Sequence, residues 1–126
     1  MGKSIRTGKK KRKSYFQNLK DKVRETYFSW DRVFCDPLGK DVLFTNLGWD
    51  HLTQETKKRP EVEAIERLKL LPNAKSFLTK IKTPPIHRFQ NFHDHYTFTG
   101  DQGGINISVV VREYKKEYFF YSIFKV

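Results

Sequence analysis

Residues 86–125, IHRFQNFHDHYTFTGDQGGINISVVVREYKKEYFFYSIFK, decide the fold. Four runs in this stretch are rich in β-branched and aromatic residues: Ile86 to Gln90, His95 to Thr99, Ile105 to Glu113 and Glu117 to Lys125. Polar or glycine-containing turns separate them, at Asn91 to Asp94, Gly100 to Gly104 and Tyr114 to Lys116, which is the pattern of an antiparallel meander. In the third run Ile105, Ile107, Val109 and Val111 share one face, while Asn106, Ser108 and Arg112 share the other.

The chain before the meander reads with a helical period. Ser14 caps SYFQNLKDKVRETY, where Phe16, Leu19, Val23 and Tyr27 recur at three- and four-residue steps. Arg32 to Cys35 and Asp41 to Thr45 read as two short strands around the turn Asp36-Pro37-Leu38-Gly39, so a β-hairpin is expected there. Asn46 is a good N-cap for a helix that starts near Leu47 and turns Trp49 and Leu52 inward. Pro60 in the first turn of a second helix, followed by Glu61 and Glu63, suits the positive end of the helix dipole. Val62, Ile65, Leu68 and Leu70 or Leu71 form its apolar face. Pro72-Asn73 breaks the run, Ala74 to Ile81 forms a third short helix, and Thr83-Pro84-Pro85 ends the helical half. Helices first and strands after indicate an α+β domain, with N-terminal helices packed on a C-terminal four-stranded antiparallel meander.

The whole chain has 126 residues, enough for one core. Its formal net charge of +11 favours polyanionic partners: RNA, DNA or an anionic membrane surface. Residues 1–13, MGKSIRTGKKKRK, supply seven of those charges and no acid, leaving +4 for residues 14–126. Lysine repulsion and scarce apolar residues make this segment a basic disordered tail, with residues 14–126 as the single domain. The tail adds nonspecific phosphate contacts, or is simply solvated. Cys35 is the only cysteine, which excludes an intramolecular disulfide and a zinc site built on cysteines. No apolar run reaches the roughly 18 residues that a membrane span needs, and no apolar signal core opens the chain. The expected setting is cytoplasmic and reducing, with no membrane partner.

Four histidines and a surplus of arginine carry the chemistry. A ribonuclease without a metal needs a base for the 2′-hydroxyl proton, an acid for the 5′-oxygen, and cations or donors for the phosphorane charge. Histidine suits the first two tasks near neutral pH, and the planar fork of arginine matches two phosphate oxygens. His51 stands on the first helix after the hairpin, and His87, His93 and His95 lie within nine residues of the meander. Arg67 sits amid Leu68, Leu70 and Leu71, so its charge needs either a cleft or a structural bridge to Glu63. His87 and Arg88 at a strand start could contact phosphate, as could Lys125 at the end of the last strand. Tyr96, Tyr121 and Ser122 offer hydroxyls. His93 and His95 share a strand side as a metal pair would, but no cysteine joins them and Asp94 faces away, so neither a metal nor a cofactor is expected. Gly103-Gly104 reads as a turn, because no strand–loop–helix unit surrounds it.

The order of parts is a strand, a His-bearing helix (WDHL), an Arg-bearing helix (RPEVEAIERLKLLPNA) and a meander ending VVVREYKKEYFFYSIF. It resembles the phage and mobile-element branch of the barnase–EndoU–colicin–RelE-like nucleases, over residues from about 30 to 126. The resemblance implies helices leading into a four-stranded antiparallel sheet with an RNA-binding cleft. It also implies a metal-independent endoribonuclease of toxin or effector type that leaves a 2′,3′-cyclic phosphate, with an antitoxin or immunity protein as partner. Carried over by position, the helix histidine is His51, the basic residue of the next helix is Arg59 or Arg67, and the hydroxyl of the last strand belongs to Ser122 or Tyr121. The expected catalytic set is therefore His51, Arg67, Ser122, Tyr121 and His95. The expected substrate-binding set is Arg59, His87, Arg88, Tyr96 and Lys125. The rival reading is a non-catalytic RNA- or DNA-binding module of a mobile element or phage, with Tyr96, Phe98, Tyr118 and Phe120 stacking on bases.

Overall fold

The computed structural model describes residues 14–54 and 60–126. The basic tail and Arg59 lie outside the described residues. Helix α1 (Tyr15–Ser29) is followed by strand β1 (Arg32–Cys35), a 3-10 turn and strand β2 (Lys40–Leu43). Helices α2 (Asn46–Thr53), α3 (Glu61–Leu70) and α4 (Ala74–Lys80) come next, with a 3-10 turn between the last two. Strands β3 (Ile86–Gln90), β4 (His93–Gln102), β5 (Ile105–Tyr114) and β6 (Glu117–Lys125) complete the chain.

The fold is α+β, and its sheet has six strands in the order β1-β2-β6-β5-β4-β3. The expected antiparallel meander, β3 to β6, forms four of them. The expectation of a four-stranded antiparallel sheet is corrected by the β1–β2 hairpin, which joins through a parallel pairing of Val42 with Tyr118 and Leu43 with Phe119. Two paired residues are too short a contact to leave a pattern in the sequence.

Each hairpin of the meander closes on two residues, Asn91-Phe92, Gly103-Gly104 and Lys115-Lys116, all with positive φ. Positive φ at both loop positions is the turn whose twist matches the flanking strands. Strand β4 is consequently longer than expected, and Gly100 lies inside it rather than in a turn.

The caps follow the chemistry of exposed helix ends. The Ser14 hydroxyl accepts from the Gln17 amide, as its position before the α1 stripe predicts. For α2 the cap is Thr45 rather than Asn46, and its hydroxyl accepts from the Leu47 amide. The inward stripe of α1 buries Phe16, Val23 and Tyr27, with Leu19 partly covered. On α3 the buried residues are Ala64 and Leu68, whereas Val62 is exposed, contrary to its expected place on the apolar face.

These helices cover the sheet face formed by Phe98, Ile107, Val109, Val111, Phe120 and Ile123. An aromatic cluster locks the seam: the Tyr27 ring lies within 6 Å of Phe28, Trp30, Phe44, Trp49 and Phe120. The Tyr27 hydroxyl donates to the Thr45 carbonyl at 2.7 Å, which satisfies a polar atom taken into this core. Cys35 is fully buried, and burial pushes its thiol up to about 11, so it packs as a small apolar residue rather than a nucleophile.

Candidate active site

Two local features open a cleft on the sheet face opposite the core. The first is the short reach of β2. Past Phe119 no strand among the described residues pairs with that side of β6, and α2 and α3 lie against β6 instead. Gly48 makes the approach possible: a Cβ there would sit 2.5 Å from the Phe120 carbonyl oxygen and 2.8 Å from the Tyr27 hydroxyl. Both helices can therefore send a side chain over the edge of the sheet.

The second feature is a β-bulge. Val110 pairs with Ser122 and Val111 with Phe120, so Tyr121 is an extra residue in β6. Strict alternation would send Tyr121 and Ser122 to opposite faces. The bulge turns both away from the core, while Phe120 and Ile123 on either side remain fully buried.

The resulting cleft holds about 340 Å³ and is lined by His51 of α2, Arg67 of α3, Arg88 and Gln90 of β3, Asn91, His95 and Thr97 of β4, Val110, and Tyr121, Ser122 and Phe124 of β6. Two histidines and two arginines face it, and among the described residues no Asp or Glu lines it. Such a lining favours an anion.

Arg67 is anchored at both forks. Nη1 donates to the Ser122 hydroxyl at 2.5 Å, and Nη2 donates to Glu63, one turn earlier on α3, at 3.0 Å. The expected alternatives for Arg67, a cleft residue or a Glu63 salt bridge, are thus both realised. Its side chain is only 17% exposed, it lies over the Phe124 ring, and its Nε is buried without an acceptor.

Tyr121 is the hub of the cleft. His51 stacks on its ring with centroids 3.9 Å apart, His95 meets it edge-on at 5.5 Å, and the Arg112 guanidinium lies over it at 4.9 Å. His95 Nδ1 donates to the His93 carbonyl at 3.1 Å, because only a protonated nitrogen can pair with a carbonyl oxygen. In the neutral ring Nε2 is then the proton acceptor. Burial, followed by the charge of Arg112, pushes the His95 pKa below its ordinary value. A neutral imidazole with a free acceptor nitrogen is the state a general base requires.

The remaining expected residues lie elsewhere. Arg88 pairs with His95 in the register, which puts His87 opposite Tyr96 on the other sheet face. There the His87 and Tyr96 rings stack at 4.8 Å, His87 Nε2 donates to Asp94 at 2.7 Å, and the Tyr96 hydroxyl donates to Glu113 at 2.8 Å. Burial, then the bond to Glu113, raises the Tyr96 pKa. Lys125 lines a larger shallow groove of about 590 Å³ along α3, which shares Arg67 and Phe124 with the cleft. His87, Tyr96 and Lys125 therefore do not line the cleft. Phe98 and Phe120, suggested as base-stacking platforms, are buried in the core. Arg112, Gln90, Asn91 and Thr97 were not singled out; a polar residue on the outward face of a strand looks the same in a sequence whether it meets solvent or a cleft.

No group of three or more His, Cys, Asp or Glu residues among the described residues could hold a metal ion. No helix among them is long and apolar enough to cross a membrane. Compared with known proteins, the chain matches no family model, and no curated protein or solved structure is similar to it.

Proposed function

We propose that the cleft is the active site of an endoribonuclease that breaks RNA by transesterification, without a metal. The observation that carries this reading is the convergence of His51, His95, Arg67 and Arg88 with Tyr121 on the lining of one cleft. His95 Nε2 takes the proton from a 2′-hydroxyl, whose oxygen attacks the neighbouring phosphorus. The bond from phosphorus to the 5′-oxygen breaks, and protonated His51, stacked on the face of Tyr121, supplies the proton that leaves with the 5′-oxygen. The products are a 2′,3′-cyclic phosphate and a 5′-hydroxyl.

Charge on the phosphorane is met by Arg67 and Arg88, with the Tyr121 and Ser122 hydroxyls as further donors. Arg67 and Arg88, both on the lining, give the cleft the charge that an anionic ligand needs. Helices leading into an antiparallel meander, with the cleft on the sheet, are in keeping with the resemblance to barnase–EndoU–colicin–RelE-like nucleases, although the sheet has six strands and one parallel pairing where the resemblance implies four antiparallel ones. Membership of that group, a toxin role and an antitoxin or immunity partner belong to the same proposal.

The test is incubation of the purified full chain with labelled single-stranded RNA and transfer RNA in EDTA, beside His95→Ala and His51→Ala, with end-group analysis. Cleavage by the wild type to cyclic phosphate ends, slowed about a hundredfold or more in each variant, is expected. RNA that is bound but uncut would overturn catalysis and leave a binding module. RNA neither bound nor cut would overturn both.

A further inference from the structure

A second recess lies on the same sheet face, one step along from the cleft. It holds about 230 Å³ and is lined by Thr45, Leu47, His93, Arg112, Tyr114 and Phe119. Of the elements that build the cleft, α2, β4, β5 and β6 continue into it, whereas α3 and β3 do not. On β4 the cleft-facing residues Thr97 and His95 are followed by His93, and on β5 Val110 is followed by Arg112 and Tyr114. A step of two residues along a strand is about 7 Å. On α2 Leu47 precedes His51 by four residues, about 6 Å along the same helix face. On β6 Phe119 precedes the bulge at Tyr121. Arg112, on the lining of this recess, lies over the ring of Tyr121, on the lining of the cleft.

The chemistry changes across that divide. The cleft is cationic and polar, whereas three of the six residues of the second recess carry aromatic rings. His93 and Tyr114 face one another with ring centroids 6.1 Å apart. Tyr114 is half exposed, and Lys115 Nζ lies over its ring at the start of the Lys115-Lys116 turn. Arg112 brings a guanidinium to the lining. A flat π-system with acceptor atoms at its edge, tethered to a phosphate one step away, satisfies all of these groups at once. A bare phosphate would leave the aromatic walls unmatched.

We propose that the recess formed by His93, Arg112, Tyr114 and Phe119 is a nucleobase subsite, which stacks the base of a nucleotide adjoining the phosphate held in the His51–His95 cleft. This rests on the ribonuclease reading and adds to it how the strand lies: along the β4–β5–β6 face, from the cleft toward the Lys115-Lys116 turn. Stacking on aromatic rings tolerates every base, so it contributes affinity and register.

The experiment uses the full chain and a series of 2′-O-methyl oligonucleotides, which lack the attacking hydroxyl, each with one abasic position. Binding is read by fluorescence anisotropy. For the wild type, one abasic position weakens binding about tenfold or more. In Tyr114→Ala that dependence disappears, and in Tyr114→Phe, which keeps the ring, it persists. Tyr114 is exposed enough for both variants to fold, and His93→Ala provides an independent second reading. An abasic profile that is the same in the wild type, Tyr114→Ala and His93→Ala would overturn the subsite and leave the nuclease reading intact. A normal profile with no cleavage of unmodified RNA would overturn the nuclease reading and leave the pocket as a base-binding site. Failure of the wild type to bind the oligonucleotides would remove both.

Discussion

His51 and Tyr121 lie face to face, with ring centroids 3.9 Å and planes 22° apart, although one comes from a helix and the other from a strand bulge 70 residues later. The stack fixes His51 over the cleft, and the same ring also meets His95 and Arg112. Tyr121→Phe keeps every ring contact and removes only the hydroxyl. It is expected to leave thermal stability unchanged and to lower kcat about a hundredfold, as for loss of one donor to a developing oxyanion. Tyr121→Ala is expected to lose more, because His51, His95 and Arg112 lose their common support. Equal activity in Tyr121→Phe and the wild type would assign the tyrosine a positioning role alone.

Arg67 and Ser122 can be tested for stability without any substrate. A hydrogen bond from a guanidinium that is only 17% exposed is worth about 1.5–3 kcal/mol, more than the exposed ion pairs elsewhere on the surface contribute. Ser122→Ala is expected to cost about 1–3 kcal/mol in denaturant unfolding, because Nη1 is left without its acceptor. In a double-mutant cycle with Arg67→Ala the two losses should be clearly non-additive. Additive losses would mean that the pair does not interact in solution.

The helical half and the meander were legible because each repeats a period over many residues. Phe16, Val23 and Tyr27 mark α1 through their spacing, and the bounds of β3 and β6 coincide with aromatic and β-branched runs. Contacts that depend on one or two residues were not legible. Val42–Leu43 against Tyr118–Phe119 turns a four-stranded sheet into six, and a single extra residue at Tyr121 turns the last strand. In the run Phe119-Phe120-Tyr121-Ser122 no alternation reveals which residue is the extra one. The misplacement of His87 and Tyr96 has a similar cause. Reading Asn91 to Asp94 as the turn left the parity of β3 against β4 open, whereas the two-residue turn Asn91-Phe92 sets Arg88, not His87, beside His95.

The pH dependence follows from His95. Its pKa is lowered from 6.5 by burial, then by Arg112. Cleavage needs the ring neutral, so the acidic limb of kcat/KM should lie below pH 6.5. Arg112→Gln removes the second cause and should move that limb part of the way back up, toward 6.5. The same shift acts on stability. Between the lowered folded pKa and 6.5 the unfolded chain binds the proton more readily, so the His95 contribution is present above 6.5 and is lost as pH falls through the folded value. His95→Gln should flatten unfolding free energy against pH in that window. An acidic limb above 6.5 in the wild type would contradict the assignment of His95 as base.

Gly48 has the least room of the described glycines, and its prediction separates architecture from chemistry. A methyl group at this position would meet the Phe120 carbonyl oxygen at 2.5 Å and the Phe120 ring at 2.7 Å, and the carbonyl belongs to backbone that cannot move without disturbing the bulge. Gly48→Ala is therefore expected to destabilise the fold by about 1–3 kcal/mol, despite the higher helix propensity of alanine. Tyr27→Phe, which removes the hydroxyl that bonds the Thr45 carbonyl, should cost about 1 kcal/mol. The two should also differ in their effect on the cleft. Displacing α2 from β6 moves His51 relative to Tyr121, so Gly48→Ala should lose activity well below its unfolding midpoint. Tyr27→Phe leaves the helix in place and should keep its activity until the chain unfolds. Unfolding followed by denaturant titration, with cleavage assayed on the same samples, reads both. Full activity in folded Gly48→Ala would show that the cleft tolerates a displaced α2.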